Sequence, residues 1–218
     1  MLVAAAAAFQ VAAVNQLPFL VEHIIRRHAE WTARWHKCET APRTQLPWSA
    51  IERNHRMNFD LWHEEDLARR DDLGPERVRD AKRAIDRCNQ ARNDAVETLD
   101  AWLLSQLPPA NPGSPLHSET PGMIIDRLSI LSLKLHHMEI EAARASATAE
   151  HRRQCADKCA VLKEQLGDLK ESLETLLGQL QSGARRFKIY RQFKMYNDAS
   201  LNPQIYTPAV PGETGCTE

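Results

Sequence analysis

The sequence predicts an all-α fold, an antiparallel bundle of five or six helices in a single domain, and three observations carry that prediction. Aromatic residues are 6% and glycines only 8 of 218, while Ala, Leu, Glu, Arg and Gln abound, a composition that favours helices over sandwiches or barrels. Apolar residues recur in threes and fours, and no period-two stretch of useful length occurs. The 12 prolines fall in a few clumps. An interior proline removes a helical hydrogen bond and clashes with the preceding turn, so those clumps mark where helices stop.

Proline-free stretches at 19–40, 48–72, 75–107 and 121–196 are the expected helices. The last breaks near 145–150, where the apolar pattern lapses, and at Ser182-Gly183, a candidate helix C-terminus. Pro75 and Pro121 each sit where a first helical residue belongs, with Thr120 as N-cap of the second. LPPANPGSPLHSETPG reads as a surface loop. The domain organisation expected is an alanine-rich extension over 1–20, a helical bundle over 21–202 and a disordered tail over 203–218, which has little to bury.

Lys+Arg 28 against Asp+Glu 29 leaves a net charge of -1, so no global field recruits nucleic acid or an anionic membrane. LVAAAAAFQVAAV has no preceding Lys or Arg and no A-x-A cleavage pattern before a polar mature start, and it is too short and too rich in alanine to span a membrane. Five cysteines without a CxxC pair argue against a disulfide framework or a zinc knuckle, and cytoplasmic residence is expected. From Cys155 to Leu180 apolar residues alternate at spacings of four and three, a coiled-coil seam. At barely four heptads an internal bundle helix is favoured over a dimer zipper.

Candidate site residues are those that break the apolar pattern. On the third helix Arg92 occupies a core-facing stripe, costly for a guanidinium unless paired, with Asn89 and Asn93 beside it and Glu97 and Asp100 following at E-x-x-D spacing. On the second, one stripe runs Ile51, His55, Asn58, Trp62, Glu65 and Arg69. Of Glu64, Glu65 and Asp66, only Glu65 is expected to face the core. In PGMIIDRLSILSLKLHHMEI the apolar residues surround the helix, the mark of a central element, yet Asp126, Arg127 and Lys134 interrupt it. Asp126 gains from the helix N-terminus, which does nothing for Arg127 or Lys134. His136 and His137, adjacent in sequence, point to different faces and make a weak metal pair.

The last element, ARRFKIYRQFKMYND, is expected to be a helix carrying Arg185, Arg186, Lys188, Arg191 and Lys194 among aromatics, with no acid until Asp198. That pattern suits a phosphate-bearing small ligand, ranked here above nucleic acid because the chain is otherwise neutral. H-E-x-x-H, a Gly-rich phosphate loop and G-x-S-x-G are all missing. Carboxylates with an Asn leave magnesium, not zinc, as the candidate metal.

Four blocks, NFDLWHEEDLARRDD, IDRCNQARNDAVETLD, SETPGMIIDRLSILSLKLHHM and YRQFKMYNDASLNP, together resemble an uncharacterised bacterial family, domain-of-unknown-function family 4254, over most of residues 22–203. Members are often encoded beside glycosyltransferases of cell-surface saccharide synthesis, so the resemblance implies an envelope-glycan setting without an established reaction. The carboxylates are also weakly similar to those of all-helical nucleotide pyrophosphatases, which hold magnesium between acidic pairs. Glu97 and Asp100 match E-x-x-D, while the partner E-x-x-E is lacking because Glu64, Glu65 and Asp66 are contiguous.

The expected function is therefore binding or conversion of a phosphorylated sugar or nucleotide sugar. Glu65 and Asp126 are the candidate catalytic groups, with Glu65 as general base and Asp126 and Asn93 orienting. Arg92, Arg127 and Lys134 form the expected anion clamp, with Asn58, His63, Arg191 and Lys194 as further ligand contacts. Glu64, Glu65, Glu97 and Asp100 are the candidate magnesium ligands. The alternatives are a non-catalytic helical partner or scaffold for a glycosyltransferase and, second, a magnesium-dependent nucleotide pyrophosphohydrolase of the all-helical kind.

Overall fold

The computed structural model describes residues 17–39, 45–191 and 198–203. The described residues form five α-helices: α1 (Leu17–Trp35), α2 (Trp48–Ala68), α3 (Pro75–Gln106), α4 (Pro121–Ala143) and α5 (Ala149–Gln181). Among the described residues there is no sheet, only one isolated parallel bridge between Leu116 and Arg186. The alanine-rich start before Leu17 and the tail after Pro203 lie outside the described residues.

Helix starts follow the chemistry of the sequence. Pro75 and Pro121 stand at the first turn of α3 and α4, and the Thr120 hydroxyl accepts from the Met123 amide at 3.2 Å. Thr148 caps α5 in the same way, accepting from the His151 amide at 3.1 Å. Thr148→Ala is expected to cost about 1 kcal/mol, read as a lower urea midpoint; an unchanged midpoint would show that the cap carries no stability.

Helices α2 and α3 form one long hairpin and α4 and α5 another, and α4 touches each of the other four helices. Its central position follows from Ile124, Ile125, Leu128 and Leu133, all buried, although Met123, Lys134 and Ile140 reach solvent. The seam on α5 is internal: Leu169, Leu173, Leu176, Leu177 and Leu180 are buried in the core shared with α1 and α4. A dimer zipper would need that surface open. No described helix is long and apolar enough to cross a membrane.

One expected element is not formed among the described residues. Helix α5 ends at Gln181, Gly183 takes a positive φ of 73°, and residues 184–191 continue as extended chain, not as a basic aromatic helix. Its backbone bonds go to the loop before α4: the His117 amide donates to the Arg186 carbonyl at 2.8 Å and the Arg186 amide to the Pro115 carbonyl at 3.2 Å. Phe187 is then buried while Lys188 faces out, the two-residue alternation of a strand. Lys194 lies outside the described residues.

Candidate functional site

Four helices contribute to one buried polar network. The α2 stripe carries Asn54, His55 and Asn58 inward, all buried, toward Asp126 and Ser129 of α4 and Thr32 of α1. Asp126 Oδ1 accepts from Asn54 Nδ2 and Asn58 Nδ2, both at 2.8 Å, and Arg92 Nε of α3 stands 3.7 Å from the same oxygen. The second Asn58 amide proton goes to Ser129 Oγ at 3.0 Å, and Asn58 Oδ1 accepts from Arg92 Nη1 at 3.4 Å. Burying such groups is tolerated because each bond replaces one lost to water.

The network ends on His55. Its Nε2 lies 2.9 Å from the His28 carbonyl, which can only accept, so the proton sits on Nε2 and Nδ1 accepts from Ser129 Oγ at 2.8 Å. Burial lowers the His55 pKa to about 3 despite the His28 carbonyl bond, so the ring is neutral. His28 stacks on it with centroids 4.3 Å apart, and burial holds its pKa well below the ordinary range too.

Two clefts flank this network and meet at Arg92. The first, about 350 Å³, lies between α2, α3 and α4 and is walled by Asn58, Trp62, Glu65, Asp66, Asn89 and Arg92. The second, about 380 Å³, is walled by Arg92, Asn93, Glu97, Asp126, Lys188 and Arg191, with Asp100 and Arg127 at its α4 end. Within it Arg127 pairs with Glu119 at 2.9 Å, and Asp100 binds the start of α4. The Thr120 hydroxyl donates to Asp100 Oδ2 and the Gly122 amide to Oδ1 at 2.7 Å. Burial pushes the Asp100 carboxyl up to about 6, outweighing both bonds, which favour the charged form. No ion pair among the described residues involves Lys188 or Arg191.

Most of the residues singled out in the sequence line these two clefts: Asn58 and Glu65 the first, Asn93, Glu97, Asp100, Asp126, Arg127 and Arg191 the second, Arg92 both. Several details differ. Glu65 does not face the core; its side chain is 45% exposed and pairs with Arg69 at 3.1 Å, because the stripe climbs out of the bundle as α2 ends. Lys134 is exposed in a separate groove between α4 and α5, apart from Arg92, so the three-cation clamp is not assembled as expected. The four candidate magnesium ligands are also divided. Glu65 is in the first cleft, Glu97 and Asp100 are in the second, Glu64 lies near Cys88, and both Asp100 oxygens are engaged. Among the described residues no three His, Cys, Asp or Glu side chains are arranged to hold a metal ion.

His63 belongs to a cluster that the sequence reading missed. His36, at the end of α1, has ring centroids 5.4 Å from His63, 4.8 Å from His136 and 5.4 Å from His137. His137 stacks on Trp62 at 4.4 Å with planes 1° apart. Burial first, and then the neighbouring His136, His36 and His63, lower the His137 pKa to about 4. His136 and His137 diverge as adjacent helical residues must, but His36 fills the gap between them, a contact between helices that spacing within α4 could not reveal.

A family model described as "Protein of unknown function (DUF4254)" matches residues 48–189, and the chain belongs to that family. No curated protein and no solved structure matches it.

Proposed function

We propose that this DUF4254 member binds a phosphorylated sugar or nucleotide sugar of bacterial cell-envelope glycan synthesis, with the phosphate held in the second cleft by Arg92, Lys188 and Arg191. The observation that carries the reading is the state of Arg92. Its Nε is buried without a hydrogen bond, its charge is shared with Asp126 at 3.7 Å, and two cations without ion pairs among the described residues share its cleft. Of the acids in this cleft, Asp126 is engaged with Arg92 and two amides, Glu119 with Arg127, and Asp100 with Thr120 and Gly122. Cations with spare donors beside engaged acids suit recognition of a phosphate. Asp126, bonded by two amides, would fix the guanidinium, and Glu65 would be the group able to take a proton from a ligand in the first cleft.

The test is thermal unfolding with inorganic phosphate, sugar phosphates and nucleotide sugars. Saturation at 100 times Kd adds about 2.7 kcal/mol to native-state stability and raises the midpoint. Lys188→Ala/Arg191→Ala removes exposed side chains, so its midpoint without ligand should match wild type while the ligand-induced rise disappears. An equal rise in both proteins, or no rise with any phosphorylated compound, defeats the reading.

A further inference from the structure

We infer that the ligand is a nucleoside-diphosphate sugar bound in two parts, with its sugar in the first cleft, its diphosphate at Arg92 and its nucleoside in the second cleft. The inference rests on the phosphate reading above and adds the substrate class. Both clefts lie along α3 and share Arg92. Asn89 opens onto the first, Arg92 onto both, and Asn93, Val96, Glu97 and Asp100 onto the second. These positions recur in threes and fours on one face, and at 1.5 Å per residue the face runs about 16 Å. A sugar monophosphate would occupy only part of that length.

The side chains open to a ligand differ between the two clefts. The first cleft has amides on Asn58 and Asn89, carboxylates on Glu65 and Asp66, and the indole of Trp62, against one cation besides Arg92, Arg69. Arg69 is already 3.1 Å from Glu65 and 3.8 Å from Asp66. Carboxylates and amides bind hydroxyl groups and repel phosphate, and an indole offers an apolar body beside them. Beyond Arg92 the second cleft also has carboxylates, but Glu119 is paired with Arg127, Asp126 with Arg92, and Asp100 is bound by Thr120 and Gly122. Lys188 and Arg191 stand there beside an apolar and aromatic patch of Val96, Ile189 and Tyr190, the last 66% exposed. Cations beside an accessible aromatic ring suit a diphosphate followed by a stacking base. Arg92 is the one guanidinium on both sides of the boundary, so the bridging phosphates belong there. Volumes of about 350 and 380 Å³ are each near the lower limit for a small-molecule pocket, room for one ring system apiece.

Calorimetric titration tests the division, using inorganic pyrophosphate, nucleoside diphosphates, sugar 1-phosphates and nucleotide sugars carrying uridine, guanosine, adenosine or thymidine. At least one nucleotide sugar should bind tenfold or more tightly than both its nucleoside diphosphate and its sugar 1-phosphate. Asn89→Ala should erase that gain while leaving the Kd of the nucleoside diphosphate unchanged. Tyr190→Ala should weaken the nucleoside diphosphate and spare the sugar 1-phosphate. If nucleotide sugars bind no better than sugar 1-phosphates, or Asn89→Ala weakens every compound equally, the two-part ligand is wrong although phosphate recognition survives. Failure of pyrophosphate and of every phosphorylated compound to bind would remove the phosphate reading itself.

Discussion

Gly122→Ala is expected to destabilise the protein by about 3 kcal/mol, although alanine in place of helical glycine normally gains up to about 1 kcal/mol. A Cβ at residue 122 would stand 2.8 Å from Asp100 Oδ1 and 2.9 Å from its Cγ and Oδ2. The carboxylate cannot swing aside without loss: it is 2% exposed and accepts from the Thr120 hydroxyl and the Gly122 amide. Displacing it leaves a buried charge and the first donors of α4 unsatisfied, each worth about 1–3 kcal/mol. Asp100→Ala separates this clash from a general intolerance of the helix start. In the Gly122→Ala background it should cost less than in wild type, with a coupling of about 1–3 kcal/mol in urea unfolding. Additive losses, or a Gly122→Ala protein as stable as wild type, would show that the contact is not the constraint.

The same residues show how far the sequence reaches. Helix starts at Pro75 and Pro121 and the turn at Gly183 were legible because proline and positive-φ glycine act through their own backbone. The extended segment after Gly183 was not. ARRFKIYRQF contains both a helical and an alternating pattern, and the choice was made by hydrogen bonds from Pro115 and His117, some seventy residues away in the chain.

Asn58, Arg92 and Asp126, the polar residues that interrupt apolar stripes, are neighbours in the structure, since a buried charge or amide needs partners wherever they come from. Glu65 failed because a stripe faces the core only while the helix lies against it, and α2 is emerging from the bundle there. The Glu97 and Asp100 spacing suggested a metal pair where the structure uses Asp100 to bind a helix start, a role that depends on Gly122 more than twenty residues later. The histidine cluster was invisible for the same reason, being drawn from α2, α4 and the end of α1.

Acid should destabilise the fold beginning just below neutrality, so the urea midpoint at pH 4.5 should fall below that at pH 7.5. Buried His55 is one cause. Unfolded, it titrates near its ordinary 6.5; folded, burial lowers it to about 3. Below pH 6.5 the unfolded chain binds a proton that the native state refuses. The stability is therefore complete above 6.5 and lost as pH falls toward the folded value. At pH 4.5 the loss from His55 is about 2.7 kcal/mol, at 1.36 kcal/mol per unit. His28, wholly buried and lowered by the same cause, acts in the same direction, and the half-exposed His63, His136 and His137 add screened contributions. Asp100 opposes them. Its carboxyl is raised from 3.8 to about 6, so it favours the fold at low pH and that contribution is lost as pH rises through 6. Acidification to pH 4.5 returns about 2 kcal/mol through this group. Two buried histidines outweigh one carboxyl, and Asp100→Asn, which removes the offset, should steepen the acid loss. A midpoint that holds or rises at pH 4.5 would mean that the two imidazoles are not enclosed as neutral groups.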